Sequence, residues 1–145
     1  MADLSEGERE LLRFRIILSI KHPNIDPALI TERLGLLPMM SWKAGEQRMT
    51  PKGTVLQGKH KASAWGHSFH VYGDRLFFKS LCDFVGRLEQ KADVLLNIHE
   101  TGGAVMLVVQ LPGDVNIGDQ IGFSDMKRLF DLKISLGIEV FPNFN

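Results

Sequence analysis

The fold is decided by residues 14–38, FRIILSIKHPNIDPALITERLGLLP. In the first part of this stretch every second residue is apolar, and basic or polar residues fill most of the positions between them. The apolar side, which begins just before the stretch, consists of Leu12, Phe14, Ile16, Leu18 and Ile20. A period of two predicts a β-strand that turns one face toward a hydrophobic core.

A short helix is predicted directly after this strand. His22-Pro23 ends the strand because proline has no N–H to give to a β-ladder. Asp26 is a suitable N-cap, Pro27 suits the first helical position, and Gly35 is a suitable end. The apolar stripe of this helix consists of Ile30, Leu34 and Leu37. We therefore expect the helix to dock on the sheet through that stripe.

The size and charge of the chain exclude several classes of protein. A length of 145 residues suits one domain, and we assign residues 11–145 to a single α+β domain and residues 1–10 to a flexible N-terminus. Lys plus Arg and Asp plus Glu both number 17, so no net charge attracts nucleic acid or an anionic membrane. The single cysteine, Cys82, fits a reducing compartment, and no apolar stretch is long enough to span a membrane. These features predict a cytoplasmic location.

Residues 43–61 are predicted to form a long basic loop. Glycine and proline recur in this segment, which is typical of turns. The segment contains several positive residues and one acidic residue, Glu46. The positive residues are Lys43, Arg48, Lys52, Lys59 and Lys61. A short strand at residues 40–43 precedes the loop. Long irregular loops in a compact domain are often functional, so this one is a candidate binding element.

The next segments alternate between strand and helix patterns. Residues 63–72 alternate, with Trp65, His67, Phe69 and Val71 on one side, and predict a strand. Asp74 is the predicted cap of a second helix. The wide apolar stripe of that helix consists of Phe77, Leu81, Phe84, Val85 and Leu88. Residues 94–99 and 104–111 are predicted to form a β-hairpin around Gly102-Gly103.

The last predicted elements are a third helix and a short strand. Ser124 is the predicted cap of the helix, and Gly137 is its predicted end. The residues expected to face the core are Met126, Leu129, Phe130 and Ile134. Residues 138–141 form a short final strand. This order predicts an α+β two-layer sandwich: a mainly antiparallel sheet with three helices in a ferredoxin-like, split βαβ arrangement.

Several of these segments together resemble a known family. The matching motifs are His22-Pro23, Asp26-Pro27, the segment ITERLGLLP at residues 30–38, Gly45-Glu46, Trp65 and Leu136-Gly137. With these motifs the chain resembles, over about residues 13–141, the bacterial domain of unknown function 4279 family. The resemblance implies a small bacterial intracellular domain. It supplies no activity, cofactor or catalytic residue that could be transferred to this chain.

The sequence offers no catalytic or metal-binding constellation. His67 and His70 are three apart on a predicted strand, so their side chains point to opposite faces and cannot share a metal. Cys82 has no histidine within a helical turn to act as its base. No phosphate-binding or nucleophile motif is present. We therefore predict no metal, no cofactor and no catalytic residue.

The candidate ligand-binding residues are those of the basic loop and the aromatic residues that flank it. Cationic side chains can bind phosphate or carboxylate, and an indole ring offers a stacking surface. The predicted site consists of Trp42, Lys43, Glu46, Arg48, Trp65 and His67. The alternatives are that the loop is merely solvated and that Trp65 belongs to the core.

The leading functional hypothesis is a non-enzymatic binding or protein-interaction module. Its expected contact surface combines the basic loop with the sheet face opposite the helices, where Arg13, Arg15, Ile17, Met106 and Val108 are expected. That mixed face suits a homo-oligomer, a small anionic ligand or a protein partner. One alternative is a small hydrolase or transferase acting on an anionic metabolite. Another is an inhibitor or immunity-type partner of a second protein, and nucleic-acid binding ranks last.

The enzymatic alternative assigns specific roles to the candidate residues. Glu46, with Lys43 or Arg48, would act on the anionic substrate together with His67 or His70 as acid or base. Acid–base chemistry requires these groups to lie within hydrogen-bond reach of one substrate. The hypothesis therefore depends on their convergence in one pocket.

Overall fold

The computed structural model describes residues 13–73 and 76–142. The predicted flexible N-terminus, residues 1–10, and the predicted helix cap Asp74 lie outside these ranges. The described residues form seven strands and four helices. In chain order these elements are β1 (Arg13–His22), α1 (Pro27–Leu34), β2 (Met40–Trp42), β3 (Gln47–Met49), β4 (Val55–Lys59), β5 (Ser63–Tyr72), α2 (Phe77–Glu89), α3 (Ala92–Glu100), β6 (Ala104–Pro112), α4 (Phe123–Asp131) and β7 (Ile134–Phe141).

Five strands form one sheet in the order β2-β5-β1-β6-β7, and β3 pairs with β4 in a separate two-stranded sheet. The central strand β1 is antiparallel to β5 and β6, and β2 is antiparallel to β5. The pair β6–β7 is parallel and is connected through α4. The α+β class is confirmed, with four helices among the described residues where three were predicted. The ferredoxin-like arrangement stays a prediction.

The two faces of the large sheet differ sharply. We call the side that carries Phe14, Ile16 and Leu18 the helix face, and the side that carries Arg13 and Arg15 the open face. Neighbouring residues in paired strands share a face, so the pairing register assigns every strand residue to one side. The buried apolar residues of all four helices lie in one core cluster with the helix face of β1. The four described helices therefore cover the same face of the sheet.

The first strand and helix form as their local sequence predicts. The Asp26 carboxylate accepts a hydrogen bond of 3.0 Å from the backbone N–H of Ala28, which satisfies a free donor at the start of α1. Gly35 ends the helix with φ 67°, in the left-handed region that favours glycine. Leu37 is a correction, because it lies beyond the helix end and is 80% exposed. The apolar stripe thus stops at Leu34.

Replacing Asp26 by alanine is expected to lower the free energy of unfolding by about 1 kcal/mol, because the Ala28 N–H loses its partner. Urea denaturation followed by circular dichroism measures the loss. Glu32→Ala is the control, since Glu32 is exposed on the same helix and is expected to change stability by no more than about 0.5 kcal/mol. Equal values for the two variants would contradict the capping role.

The predicted strand at residues 94–99 is instead the helix α3, so the predicted hairpin with residues 104–111 is wrong. The buried residues of α3 are Leu95 and Ile98, three positions apart, which is helical spacing. Gly102 has φ 97°, and the N–H of Gly103 donates to the carbonyl of Ile98 at 2.8 Å. The two glycines therefore turn the chain from a helix into β6.

The predicted long loop at residues 43–61 is an exposed β-hairpin, which we call the arm. Strands β3 and β4 form it, and every residue of both strands is exposed. The loop prediction was wrong because turn residues do not exclude short strands here. Gly53 lies in the turn between β3 and β4, and Gly58 lies within β4, each with φ 88°. The predicted short strand before the loop is confirmed as β2.

The predicted third helix is shorter than expected and presents different residues to the core. Helix α4 begins at Phe123 after the N-cap Gly122, so Ser124 is not its cap. Lys133, with φ 58°, turns the chain into β7, which contains Gly137 and begins before residue 138. Of the expected core residues, Leu129 and Ile134 are buried, whereas Met126 and Phe130 are exposed.

None of the helices in the described ranges combines the length and the apolar character that a membrane crossing requires.

Candidate functional site

The residues predicted to form a ligand site are divided between different parts of the molecule. Trp65 is fully buried on the helix face, where its indole N–H donates to the Thr31 hydroxyl at 2.9 Å. His67 lies on the same face, with Nδ1 at 2.7 Å from the Leu37 carbonyl oxygen and its ring stacked at 6.1 Å on Phe84. These contacts make Trp65 a core residue that ties β5 to α1.

Trp42 lies on the opposite side of the sheet from Trp65. It pairs with Ala64, whereas Trp65 pairs with Ser41, so the two indoles point to different faces. The Trp42 ring stacks on His60 with centroids 4.4 Å apart and an interplanar angle of 12°. The two tryptophans therefore do not enclose a common pocket.

Lys43, Glu46 and Arg48 are exposed at the base and on the first strand of the arm. Backbone hydrogen bonds hold this base together: Gly45 N–H donates to His60 O at 2.8 Å, and His60 N–H donates to Glu46 O at 2.9 Å. The structure thus brings Lys43 and Glu46 together next to Trp42, where Glu46 N–H donates to Lys43 O at 3.1 Å, and places Arg48 on the arm, where its side chain donates to Gln57 O at 3.3 Å.

The arm is an ordered projection with both charge and apolar surface. Met49, Val55 and Leu56 are exposed on it, beside the basic residues of the same segment. At its base, Ala44 N–H donates to the Ser63 hydroxyl at 3.0 Å, which fastens the arm to β5. Because the arm is attached at its base and exposed along both strands, it can contact a partner without rearranging the core.

Arg15 is the most unusual polar residue of the open face. Its half-buried guanidinium donates through Nη2 to the Ser68 hydroxyl at 3.0 Å and to the Met39 sulfur at 2.7 Å. Its Nε is buried and has no hydrogen-bond partner among the described residues. The ion pairs found among those residues do not include Arg15. A cation at the centre of the sheet is thus bonded to neutral acceptors only.

The surroundings of Arg15 are also cationic. The pKa of His70 is lowered from its ordinary value by partial desolvation and then by the positive charges of Arg15 and Arg13. A lowered pKa keeps this imidazole neutral at pH 7, because a third positive charge is disfavoured there. Arg13 and Arg15 therefore place positive charge beside His70 on the open face, although the whole chain has no net charge.

A second surface lies at the other end of the sheet, on α4 and β7. Arg128 holds α4 against α2: it donates to the Glu89 carboxylate at 2.6 Å, to Asp125 at 3.0 Å and to the Cys82 carbonyl at 3.3 Å. The hydrogen bonds to Glu89 and Asp125 raise the pKa of Arg128. Arg128 thus faces α2, and Leu129 of the same helix is buried in the core.

Three other apolar residues of α4 are turned outward. Phe123 is 86% exposed and Phe130 is 68% exposed, with Met126 between them. On the neighbouring strand β7, Ile138 is 51% exposed and Val140 is 62% exposed. We call these five side chains the α4–β7 surface. Sequence reasoning missed it because amphipathic helices normally bury their apolar side.

Neither a reactive thiol nor a metal centre is supported by the geometry. Burial and the nearby Asp125 carboxylate raise the pKa of Cys82 to about 11, so the thiol stays protonated at neutral pH. His67 and His70 lie on opposite faces of β5, as expected. No group of three or more His, Cys, Asp or Glu side chains in the described residues is arranged to hold a metal ion.

Comparison with known proteins gives one match. A family model described as a domain of unknown function, DUF4279, matches residues 12–140. No curated protein and no solved structure matches the chain.

Proposed function

The chain belongs to the DUF4279 family, and we propose that it is a non-enzymatic protein-interaction domain that binds an acidic segment of a partner protein. The contact surface is the open face around Arg15 together with the basic arm. The observation that carries the proposal is the half-buried Arg15 guanidinium. Its buried Nε has no hydrogen-bond partner among the described residues, and no carboxylate of those residues forms an ion pair with it.

The energetics of Arg15 support an acidic partner. A cation that is partly removed from water loses hydration, and bonds to a hydroxyl and a thioether compensate only weakly. A carboxylate supplied by a partner would form a charge-assisted hydrogen bond, which is roughly twice as strong as a neutral one. Arg13 and the lysines of the arm would add attraction over a longer distance and speed the encounter.

The placement of the candidate acid and base groups favours binding over catalysis. Acid–base chemistry needs both groups within hydrogen-bond reach of one substrate. His67 is on the helix face and is hydrogen-bonded to a backbone carbonyl, whereas Glu46 is exposed at the base of the arm. A hydrolase or transferase site built from Glu46 and His67 would need a large rearrangement of the arm.

The fold proposal is finer than the α+β class. We propose that β1, β2, β5 and β6 form the ferredoxin-like core, because β5 lies between β1 and β2 and β1 lies between β5 and β6. The unit β1-α1-β2 has β5 between its two strands, and the unit that runs from β5 through α2 and α3 to β6 has β1 between its two strands. This is the split βαβ pattern. Strand β7 then extends the core. A reducing, cytoplasmic location is part of the same proposal and is supported by the single cysteine.

Replacing Arg15 by glutamine is expected to weaken binding of a glutamate-rich peptide about tenfold, because one charge-assisted hydrogen bond is lost. Isothermal titration at low ionic strength measures the dissociation constant. The matched control is Lys127→Gln, which also removes one positive charge but lies on α4, where Lys127 pairs with Asp131 at 2.6 Å.

Two results would contradict the proposal. One is equal weakening by Arg15→Gln and Lys127→Gln, because binding would then follow net charge and not the open face. The other is tighter binding of a single-stranded oligonucleotide than of the peptide, which would make the partner a nucleic acid.

A further inference from the structure

We propose that the α4–β7 surface is the interface of a homodimer, in which β7 pairs antiparallel with β7 of a second copy about a two-fold axis at Ile138. This inference goes beyond the proposed function, because it concerns a different face of the molecule and a different partner. It rests on the free edge of β7, on the size of the apolar surface beside it, and on the side-chain register that a two-fold axis imposes.

In the described sheet, β7 is an edge strand that can pair with another strand. Among the described strands β7 pairs with β6 alone, so one side of residues 134–140 has backbone N–H and C=O groups without a partner strand in the described part of the chain. Proteins commonly protect such an edge with proline, lysine or a bulge, because it otherwise pairs with another chain. Residues 134–141 contain no proline and no lysine. At the opposite edge, β2 is three residues long.

The apolar surface runs along this edge. Helix α4 connects the parallel strands β6 and β7, so it runs back antiparallel to both, and it contacts β7. Ile138 and Val140 lie on the helix face, because they pair with Val109 and Leu111, which are buried in the core. The exposed side chains of α4 and β7 are therefore on the same side of the sheet.

The exposed apolar area approaches what a stable dimer buries. The five side chains of the α4–β7 surface expose roughly 600 Å² in total, with about 200 Å² available to each fully exposed aromatic residue. A standard interface buries about 800 Å² per partner, and backbone pairing along β7 would supply much of the difference. An apolar patch of this size lies at the upper end of what a monomer exposes.

The register follows from the pattern of side chains. Paired residues share a face, so an axis at Ile138 places Ile138 opposite Ile138, and Leu136 opposite Val140 of the second copy. It places Glu139 opposite Gly137 of the second copy, so the Glu139 side chain meets no opposing side chain. An axis at Glu139 would oppose two carboxylates, and an axis at Gly137 would leave the centre without side chains.

The charges that border the surface do not oppose this arrangement. Glu139 lies on the open face and accepts a hydrogen bond from the Gln110 side chain at 3.1 Å. Lys127 and Asp131 on α4 form an ion pair at 2.6 Å, so each neutralises the other. The Lys133 ammonium lies 4.5 Å from the centre of the Phe130 ring. The apolar side chains can therefore meet without burying a charge that lacks a compensating contact.

The test is the oligomeric state of the full chain, measured by sedimentation equilibrium over a concentration series. We expect the wild type to have twice the mass of one chain and Ile138→Arg to be a monomer with an unchanged circular dichroism spectrum. The matched control is Val55→Arg, because Val55 is a β-branched strand residue that is 64% exposed on the arm. This control is expected to remain a dimer. A monomeric wild type at the highest concentration, or an Ile138→Arg dimer, would overturn the proposal.

A second measurement keeps the proposal testable if Ile138→Arg does not fold. In a Cys82→Ser background, Ile138→Cys is expected to form an intermolecular disulfide under mild oxidation, because residues opposite each other in antiparallel strands are about 4.5–5.5 Å apart at Cα, within disulfide range. Val55→Cys in the same background is the control. Cross-linking of Ile138→Cys no faster than that of Val55→Cys would refute the axis.

Discussion

Replacing Trp65 by alanine is expected to lower the free energy of unfolding by about 3–5 kcal/mol, the usual cost of deleting a large buried aromatic side chain. Trp65 is fully buried, and its N–H donates to the Thr31 hydroxyl on α1. The substitution would leave a cavity and would also remove a bond between the sheet and the first helix. Chemical denaturation followed by circular dichroism measures the loss.

Trp42→Ala is the matched control for this prediction. Trp42 is half-buried on the other face and stacks on His60 near the sheet edge, so its removal is expected to cost about 1 kcal/mol. The comparison separates a core indole from an indole available for contacts. Similar losses in the two variants would contradict the assignment of Trp65 to the core.

Replacing His22 by alanine is expected to cost about 2–4 kcal/mol, because several buried polar groups lose their partner at once. His22 is buried, and its Nδ1 accepts the backbone N–H groups of Asn24 at 3.1 Å and Ile25 at 2.9 Å. Nε2 therefore carries the proton and donates to the Thr101 hydroxyl at 2.8 Å, which in turn donates to the Asn97 carbonyl at 2.8 Å. These bonds tie the end of β1 to the turn after α3.

The same histidine predicts a pH dependence of stability. Burial lowers the pKa of His22 from its ordinary value of 6.5, so the unfolded chain binds this proton more readily than the folded one. The stabilisation is fully present above about pH 6.5 and is lost as the pH falls toward the lowered pKa. His70 contributes in the same direction, because its pKa is also lowered. The wild type is therefore expected to lose more stability on acidification than His22→Ala.

His99→Ala is the control for the stability measurement. His99 is exposed on α3, so its removal is expected to change stability by no more than about 0.5 kcal/mol. If the free energies of unfolding of His22→Ala and the wild type changed equally with pH between about pH 5 and 7, the claim that His22 is neutral and hydrogen-bonded in the folded protein would be wrong.

The two proposals have a joint consequence. Pairing of like residues on β7 keeps the helix layers of both copies on one side of the joined sheet, so the two open faces lie on the other side. Two Arg15 sites on one surface can bind a partner with two acidic segments more tightly than either site alone. A monomeric variant is therefore expected to retain the affinity for a short acidic peptide while losing this gain.

The parts of the fold that sequence predicts well are those decided by neighbouring residues. Strand β1 follows from its period of two, and α1 follows from Asp26 at its start and Gly35 at its end. Helix α3 was missed because its short apolar run fits both the strand period of two residues and the helical period of about 3.6 residues. Burial of Leu95 and Ile98 against the rest of the core decides between them.

The surfaces were harder to predict because distant residues decide them. The inward side of α4 is fixed by Arg128 bonding to Glu89, which is 39 positions away, so the usual amphipathic argument placed Met126 and Phe130 in the core. The opposite orientations of Trp42 and Trp65 depend on the pairing of β2 with β5. No local pattern in the sequence carries that register.

The most direct test of the interaction surface is an amide chemical-shift map of the full chain titrated with a glutamate-rich peptide. The account predicts that the shifts concentrate on β1 and β5 around Arg15 and Ser68, and at the base of the arm, and that Arg15→Gln removes them. Shifts centred on His67 and Phe84 on the helix face would contradict it, because the peptide would then enter the side of the sheet that the helices cover.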